Sequence, residues 1–220
     1  MNKYILTVIS MFQGIFLLAQ TPVRNEPRHH NVFENYFVRI LDVHLGPGDT
    51  TQYHLHNTPS VFIVLSNTKV SSQLYGKQPE PGVSLKSEIS YDSLVTPRLH
   101  HVWNNDTSWF HVMDVELTST KHFNIIPPLQ NHSFKLLFNE QQVNGYKMEF
   151  PSGRQLQIPA SANGYLLVSL GESVIDYKIN NAIQRRIMKA GHYIWIEAGK
   201  TSSITMSSGS NAGFTLLQFK

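Results

Sequence analysis

The chain has 220 residues, of which 15% are charged, and its formal net charge at pH 7 is +3. The basic residues form no Lys/Arg run, so the charge does not indicate a nucleic-acid-binding protein. Cysteine is absent, which excludes disulfides and thiolate metal ligands. A bound metal would therefore be held by nitrogen and oxygen atoms, and the eleven histidines are the residues to search.

Residues 1–19 have the pattern of a signal peptide. Lys3 supplies the positive charge, Tyr4 to Leu18 form an apolar run, and Ala19 is a small residue suited to cleavage. The run is shorter than the roughly 20 apolar residues that a membrane span needs. We therefore expect an exported protein, periplasmic or secreted, whose mature form is soluble and not bound to a membrane.

After this leader, short runs rich in β-branched and aromatic residues alternate with turn residues, a pattern typical of all-β proteins. Residues 20–35 show no periodicity and are expected to form an extended N-terminal arm. Strand-like runs fill residues 36–120 and 134–220. Residues 121–133, with two adjacent prolines, are expected to link the two parts.

A repeated spacing indicates that these two parts are similar. The segments Gly48 to Leu65 and Gly153 to Leu170 both span seventeen positions, from a glycine to the end of an apolar strand. The repeat predicts two small barrels in tandem.

The most informative short motif is His54-Leu55-His56 at the end of a predicted strand. Side chains two positions apart on a strand point to the same face, so the two imidazoles are expected to meet. Two converging imidazoles form half of a transition-metal site.

The spacing around this pair resembles the first motif of the cupin family, with Gly48 six positions before His54 and Pro59 three positions after His56. The resemblance implies a double-stranded β-helix, or jelly-roll, barrel with a metal inside. In the family, the first motif provides two histidines and a glutamate, and a second motif provides another histidine. The glutamate is missing here, because Ser60 and Val61 occupy the positions where it is expected.

The second motif is expected to place a histidine four positions before an asparagine. His100 and Asn104 have this spacing, and so do His101 and Asn105. His100 fits better, because Val102 and Asn104 then share its face of the strand. The resemblance thus implies that His54, His56 and His100 hold one divalent transition metal, whether iron, manganese, nickel, copper or zinc.

In the second unit, the resemblance implies a barrel without ligands. Its second-motif spacing runs from Gly191 to Ser202, with serine in the position of the histidine. When the two repeats are aligned on Gly48 and Gly153, Pro159 and Ser161 occupy the positions of His54 and His56. We therefore expect an all-β bicupin with a three-histidine site in the N-terminal barrel and a degenerate C-terminal barrel.

Further residues are candidates for a pocket that receives a small molecule. They are Tyr53, Phe62, Gln73, Trp103 and Asn104. Strand aromatics also serve as ordinary core or cross-strand packing, which is the alternative for the aromatic members. His111, on a neighbouring predicted strand, is the candidate catalytic residue.

The sequence is compatible with two functions. One is a metal-dependent enzyme, dioxygenase-like or an isomerase or lyase, that acts on a small organic molecule. The other is a non-catalytic periplasmic or secreted cupin that binds a sugar or organic acid. An acid or base close to the metal would favour the enzyme. The resemblance also implies a homodimer.

Overall fold

The computed structural model describes residues 20–120, 125–149, 152–179, 182–207 and 213–220. The predicted signal peptide, residues 1–19, lies outside the described residues. Within the described ranges the secondary structure consists of β-strands and one short 3₁₀ helix, Val23–Asn25, so the all-β prediction is confirmed.

The first half of the chain contains ten strands in two five-stranded sheets. The strands are β1 (Thr21–Pro22), β2 (His29–Glu34), β3 (Val38–Leu45), β4 (His54–His56), β5 (Ser60–Val64), β6 (Thr68–Leu74), β7 (Glu80–Ser84), β8 (Ile89–Asp92), β9 (Arg98–Asn104) and β10 (Phe110–Leu117). Their order is β1-β4-β9-β6-β7 in one sheet and β2-β3-β10-β5-β8 in the other. The two sheets enclose the first barrel.

The second half contains nine strands in two further sheets. They are β11 (Phe134–Asn139), β12 (Val143–Met148), β13 (Gln155–Ile158), β14 (Tyr165–Ser169), β15 (Ser173–Ile179), β16 (Ala182–Met188), β17 (Tyr193–Ile196), β18 (Ser202–Met206) and β19 (Phe214–Phe219). Their order is β11-β12-β19-β14-β17 and β13-β18-β15-β16. Strand for strand, this repeats the order of the first barrel without β1, as the sequence repeat predicts.

The segment expected to be a free arm, residues 20–35, is built into the first barrel. β1 pairs in parallel with β4, and β2 pairs in antiparallel with β3. The first barrel therefore begins near Thr21 and not at residue 36. Residues 125–133, the described part of the predicted linker, contain no strand.

Two apolar clusters hold the chain together. One lies inside the second barrel and includes Tyr165, Ile175, Ile196 and Phe214. The other joins the outer faces of two sheets, one from each barrel. Its fully buried members are Val38, Ile40, Val61, Ile63, Met113, Val115, Val143, Leu166, Val168 and Leu217. Burial of this much apolar surface makes the two barrels one packed body.

Strand alternation leaves the opposite face of the first barrel's sheets free to line its interior. On β10, Met113 and Val115 pack toward the second barrel, whereas Phe110, Val112 and Asp114 face inward. Across the described ranges, the structure contains no helix long and apolar enough to cross a bilayer.

Candidate metal centre

Strands β4 and β9 bring together the three histidines predicted from the sequence. In the antiparallel register, His54 lies opposite His100, and His56 lies opposite Arg98. The ring centroids of His54 and His56 lie 4.7 and 5.0 Å from that of His100. The two Nε2 atoms of His54 and His56 are 3.1 Å apart. The expected convergence of these side chains on one face is confirmed.

A fourth imidazole, that of His29, joins this group from β2. Its ring centroid is 4.6 Å from that of His54. His29, His54 and His56 each offer a ligand atom, and these atoms all lie within 4.8 Å of one another. Sequence reasoning missed His29 because the strand that carries it is mostly exposed and shows no regular hydrophobic alternation.

Hydrogen bonds orient two of the rings, those of His29 and His54, so that Nε2 is available for a metal, and a carboxylate lies near the Nδ1 atom of a third. His54 Nδ1 is 2.8 Å from the carbonyl oxygen of Gln52, an atom that can only accept, so Nδ1 carries the proton. His29 Nδ1 is 2.6 Å from a Glu26 carboxylate oxygen. His56 Nδ1 lies 3.5 Å from Asp114. Metal-binding histidines are usually fixed through their second nitrogen in this manner.

His100 gives the clearest sign that the group is incomplete by itself. Its Nε2 atom is buried and has no hydrogen-bond partner within the described ranges. A buried polar atom without a partner costs about 1–3 kcal/mol, so such atoms usually mark a missing water, ion or ligand. The donor set of four imidazoles fits a divalent transition metal, for which imidazole is a common ligand.

Burial keeps the imidazoles of His54, His56 and His100 neutral, which is the state that binds metal. It lowers the pKa of His54 to about 4, with a further contribution from His29. Burial also lowers the pKa values of His56 and His100, and nearby His54 and Arg98 act in the same direction. No proton therefore has to be displaced from a charged imidazole near neutral pH.

The two buried carboxyl groups beside the cluster differ in their pKa. Burial opposes ionisation of Glu26, but hydrogen bonds from His29 and from backbone amides outweigh it and lower the pKa. Asp114 is almost completely buried, and this burial, with the nearby charge of Glu116, raises its pKa to about 7. Asp114 is thus protonated more readily than an exposed aspartate.

The histidines lie at a cavity of about 590 Å³ in the first barrel. Its apolar walls come from side chains on both sheets, namely Val43, Leu45, Phe62, Leu74, Tyr91, Val102, Phe110 and Val112. Its polar and charged lining includes Glu80, Asp92, Arg98 and Asp114. A cavity of this size and mixed lining is typical of sites for small molecules.

The structure places one of the five predicted pocket residues, Phe62, in the cavity wall. Tyr53 and Gln73 instead bond to each other, through a hydroxyl-to-carbonyl hydrogen bond of 3.0 Å. Trp103 packs against His101, whose ring also contacts Tyr53. These side chains lie on the opposite face of the sheet from His100, because β9 alternates. His101 is therefore not brought to the cluster.

Asn104, the fifth predicted pocket residue, has a structural position. It is 2% exposed, and its side-chain amide donates to the carbonyls of Leu45 and Ser108, at 3.0 and 2.8 Å. Its own side-chain oxygen accepts from the amide of Asp106. Asn104 thus holds the loop between β9 and β10 against the end of β3.

His111, the candidate catalytic residue, is not brought to the histidine cluster. It faces the second barrel, where its Nε2 lies 2.8 Å from Asp42 and its ring stacks on that of His44 at 3.9 Å. A Cβ on Gly191 of the second barrel would meet the His111 ring at 3.0 Å. Burial disfavours the charge of Asp42, but hydrogen bonds from the two imidazoles hold its pKa well below 3.8.

The interior of the second barrel is filled where the first has its cluster. Ile158, directly opposite Ser202, and Leu156, opposite Ile204, belong to the apolar core. The hydroxyl of Ser202 is buried, and the part of the chain that the structure describes offers it no hydrogen-bond partner. Apolar side chains and a serine thus occupy the positions of the histidines, in agreement with the predicted loss of metal ligands from this barrel.

Comparisons with known proteins identify the fold. No family model matches the sequence, and no curated protein matches it. Among solved structures, the chain is similar to the Cupin 2 conserved barrel domain protein from Leptotrichia buccalis, with 12% identity, a TM-score of 0.55, and coverage of 87% of this chain and 88% of that one. The chain has the two-barrel cupin fold.

Two other similar structures cover nearly the whole chain. AerE from Microcystis aeruginosa is 12% identical, with a TM-score of 0.60 over 89% of this chain and 98% of that one. Salicylate 1,2-dioxygenase from Pseudoaminobacter salicylatoxidans is 9% identical, with a TM-score of 0.60 over 91% and 75%. The alignments extend over both cupin barrels, so the tandem arrangement predicted from the sequence is confirmed as part of the fold.

Proposed function

We propose that the N-terminal cupin barrel binds one divalent transition metal and that the protein is a metal-dependent enzyme acting on a small organic molecule. The observation that carries the proposal is the set of four buried or partly buried imidazoles that line one cavity, with Nε2 of His100 left without a hydrogen-bond partner among the described residues. His54, His56 and His100 hold the metal. His29 is proposed as the ligand that takes the place of the missing glutamate.

Glu26 and Asp114 are proposed to position these ligands. Glu26 accepts the Nδ1 proton of His29, and Asp114 faces Nδ1 of His56. The hydrogen bond from His29 to Glu26 fixes the orientation of the His29 ring and makes its opposite nitrogen a better donor. Asp114, 3.5 Å from Nδ1 of His56, is proposed to do the same for that ring. A metal bound there would activate dioxygen if it is iron or copper, and would polarise a substrate oxygen if it is zinc.

Dioxygenase-like oxidation is the reaction that we favour, ahead of isomerase or lyase chemistry. The all-nitrogen donor set accepts iron or copper as well as zinc, and salicylate 1,2-dioxygenase has the same fold. Asp114 also supports an enzyme over the non-catalytic binding module, because it supplies an acid or base in the cavity wall.

Elemental analysis of purified protein tests this proposal. We expect about one transition metal per chain in the wild type and none in a His54→Ala/His56→Ala variant. The matched control is His30→Ala/His132→Ala, which removes two exposed histidines and should retain the metal. Oxygen consumption with candidate substrates then follows for an iron or copper protein. Absence of metal after reconstitution, or equal metal in the cluster variant, would refute the metal centre.

We also propose that the protein is exported. The support is the leader pattern of residues 1–19, with a small residue at position 19. N-terminal sequencing of protein from the periplasm or medium should begin at residue 20. Full-length protein confined to the cytoplasm would contradict export.

A further inference from the structure

We infer that the ligand of the N-terminal cavity carries a carboxylate, and that Arg98 binds it. This inference rests on the proposed function in one respect, because the metal is expected to bind a second oxygen of the same molecule. The carboxylate site itself is argued from Arg98 and its surroundings.

Arg98 stands beside the histidines on the inner face of the sheet. It is the first residue of β9 and lies opposite His56 in the register. His100 is two positions further on the same strand, so both side chains point the same way, roughly 7 Å apart along the strand. The guanidinium lines the same cavity as the imidazoles. A small molecule can therefore reach the arginine and the histidine cluster together.

One edge of the guanidinium faces no recorded acceptor in the described part of the chain. Nη1 donates to Asp92 at 2.9 Å, while Nε is buried and has no hydrogen-bond partner among the described residues. Nε–H and an Nη2–H lie side by side on the opposite edge of the planar group. This fork matches the two oxygens of a carboxylate, which arginine binds through parallel hydrogen bonds. A buried donor without a partner also costs free energy that such a ligand would recover.

The guanidinium is held in position before any ligand binds. One oxygen of Asp92 binds the arginine, and the other accepts the amide of Leu94 at 3.0 Å, so this carboxylate is itself anchored. The Arg98 guanidinium carbon lies 5.5 Å from the ring centroid of Phe62, a cation–π distance. A group oriented in advance loses less conformational entropy when it binds.

The walls of the cavity define the rest of the ligand. Phe62, Phe110, Val102 and Val112 give an apolar surface beside the charged end. The volume of about 590 Å³ lies in the range of sites for small molecules. The ligand class is therefore a small monocarboxylate with an apolar or aromatic body and a second oxygen near the carboxylate for the metal.

The test compares matched probes of similar shape, in which an uncharged amide replaces the carboxylate. The first pair is 2-hydroxybenzoate and 2-hydroxybenzamide, and the second is 3-methyl-2-oxobutanoate and its amide. Titration calorimetry is carried out on metal-loaded and metal-free protein. We expect each acid to bind about ten- to a hundredfold more tightly than its amide, the range for a charge-assisted hydrogen bond.

Substitutions of Arg98 test whether its Nε–H and Nη2–H groups cause the preference for the acid over the amide. Arg98→Gln should lose the preference for the acid while retaining one metal per chain. Arg98→Lys, which keeps the charge without the fork, should retain only part of it. Arg185→Gln is the matched control, because Arg185 is exposed on the second barrel, and it should behave like the wild type.

The outcomes separate this inference from the metal proposal. Metal binding without any preference for the acids, or a preference that survives in Arg98→Gln, overturns the carboxylate site and leaves the metal centre standing. Acid binding that depends on Arg98 in a protein that takes up no metal supports the carboxylate site and refutes the metal centre.

Discussion

Replacing His29 by alanine tests whether the residue contributed by β2 is a metal ligand or only part of the packing. The residue is 8% exposed, and its Nδ1 bonds the buried carboxylate of Glu26 at 2.6 Å. The substitution removes this hydrogen bond and any bond from Nε2 to a metal. The two losses can be measured separately, because only the second depends on added metal.

The magnitude follows from the contacts. Glu26 keeps two backbone donors, from Arg28 and Gln52, so the metal-free variant loses one charge-assisted hydrogen bond, about 1.5–3 kcal/mol of unfolding free energy. Metal binding adds further stability, which grows with the logarithm of the affinity. If His29 is a ligand, the stabilisation by saturating metal should shrink by about 1.4 kcal/mol for each tenfold loss of affinity.

The assay is urea unfolding with and without metal, for wild type, His29→Ala and His30→Ala. His30 is exposed and serves as the control, so its variant should match the wild type in both conditions. A His29→Ala variant that is less stable without metal but gains as much from metal as the wild type would refute the assignment. His29 would then support the barrel without binding the ion.

Three further predictions concern other residues described above. Asp114→Asn should weaken metal binding about tenfold or more, measured by competition with a chelator, without lowering the stability of the metal-free protein; unchanged affinity would contradict its positioning role. Asn104→Ala should lower the unfolding free energy by about 1–3 kcal/mol in urea, because the carbonyls of Leu45 and Ser108 lose their donor, and a neutral result would contradict the loop-holding role. Asp42→Asn should cost about 1–2 kcal/mol at pH 7 and leave metal content unchanged. Because the native pKa of Asp42 is lowered, this difference should be complete above about pH 4 and disappear only at lower pH, so a difference that grows on acidification would contradict it.

Strand alternation explains what the sequence could predict about the site. Two histidines separated by one residue had to share a face, and the preference for His100 over His101 followed from the same rule. The structure agrees, with His100 against the cluster and His101 against Tyr53. The repeat of glycine-to-strand spacing likewise corresponds to two barrels with the same strand order.

The same rule could have corrected part of the pocket prediction. Tyr53 is adjacent to His54, and Trp103 is an odd number of positions from His100, so neither can share the face of the ligand. Their aromatic character alone made them candidates. Phe62 does face the cavity, because Val61 and Ile63 on either side pack toward the second barrel.

His29 and Arg98 could not be found from local patterns. β2 is mostly exposed and carries polar residues, so it lacks the hydrophobic signal that marks a strand. Its pairing with β3 brings His29 inward, and no local motif indicates this pairing. The role of Arg98 depends on which of its nitrogens Asp92 occupies, and sequence holds no information on that choice.

The pairing of Thr21 with His54 has a practical consequence for preparing the protein. Because β1 runs beside β4, anything fused ahead of residue 20 emerges next to the imidazole cluster. A polyhistidine tag placed there would compete with the cluster for the metal ion or supply additional ligands to it. The measured metal content would then include metal bound by the tag. Lys220, by contrast, is tied by its ammonium group to Asn139 in the second barrel. Metal stoichiometry should therefore be determined on protein that carries its affinity tag at the C-terminus.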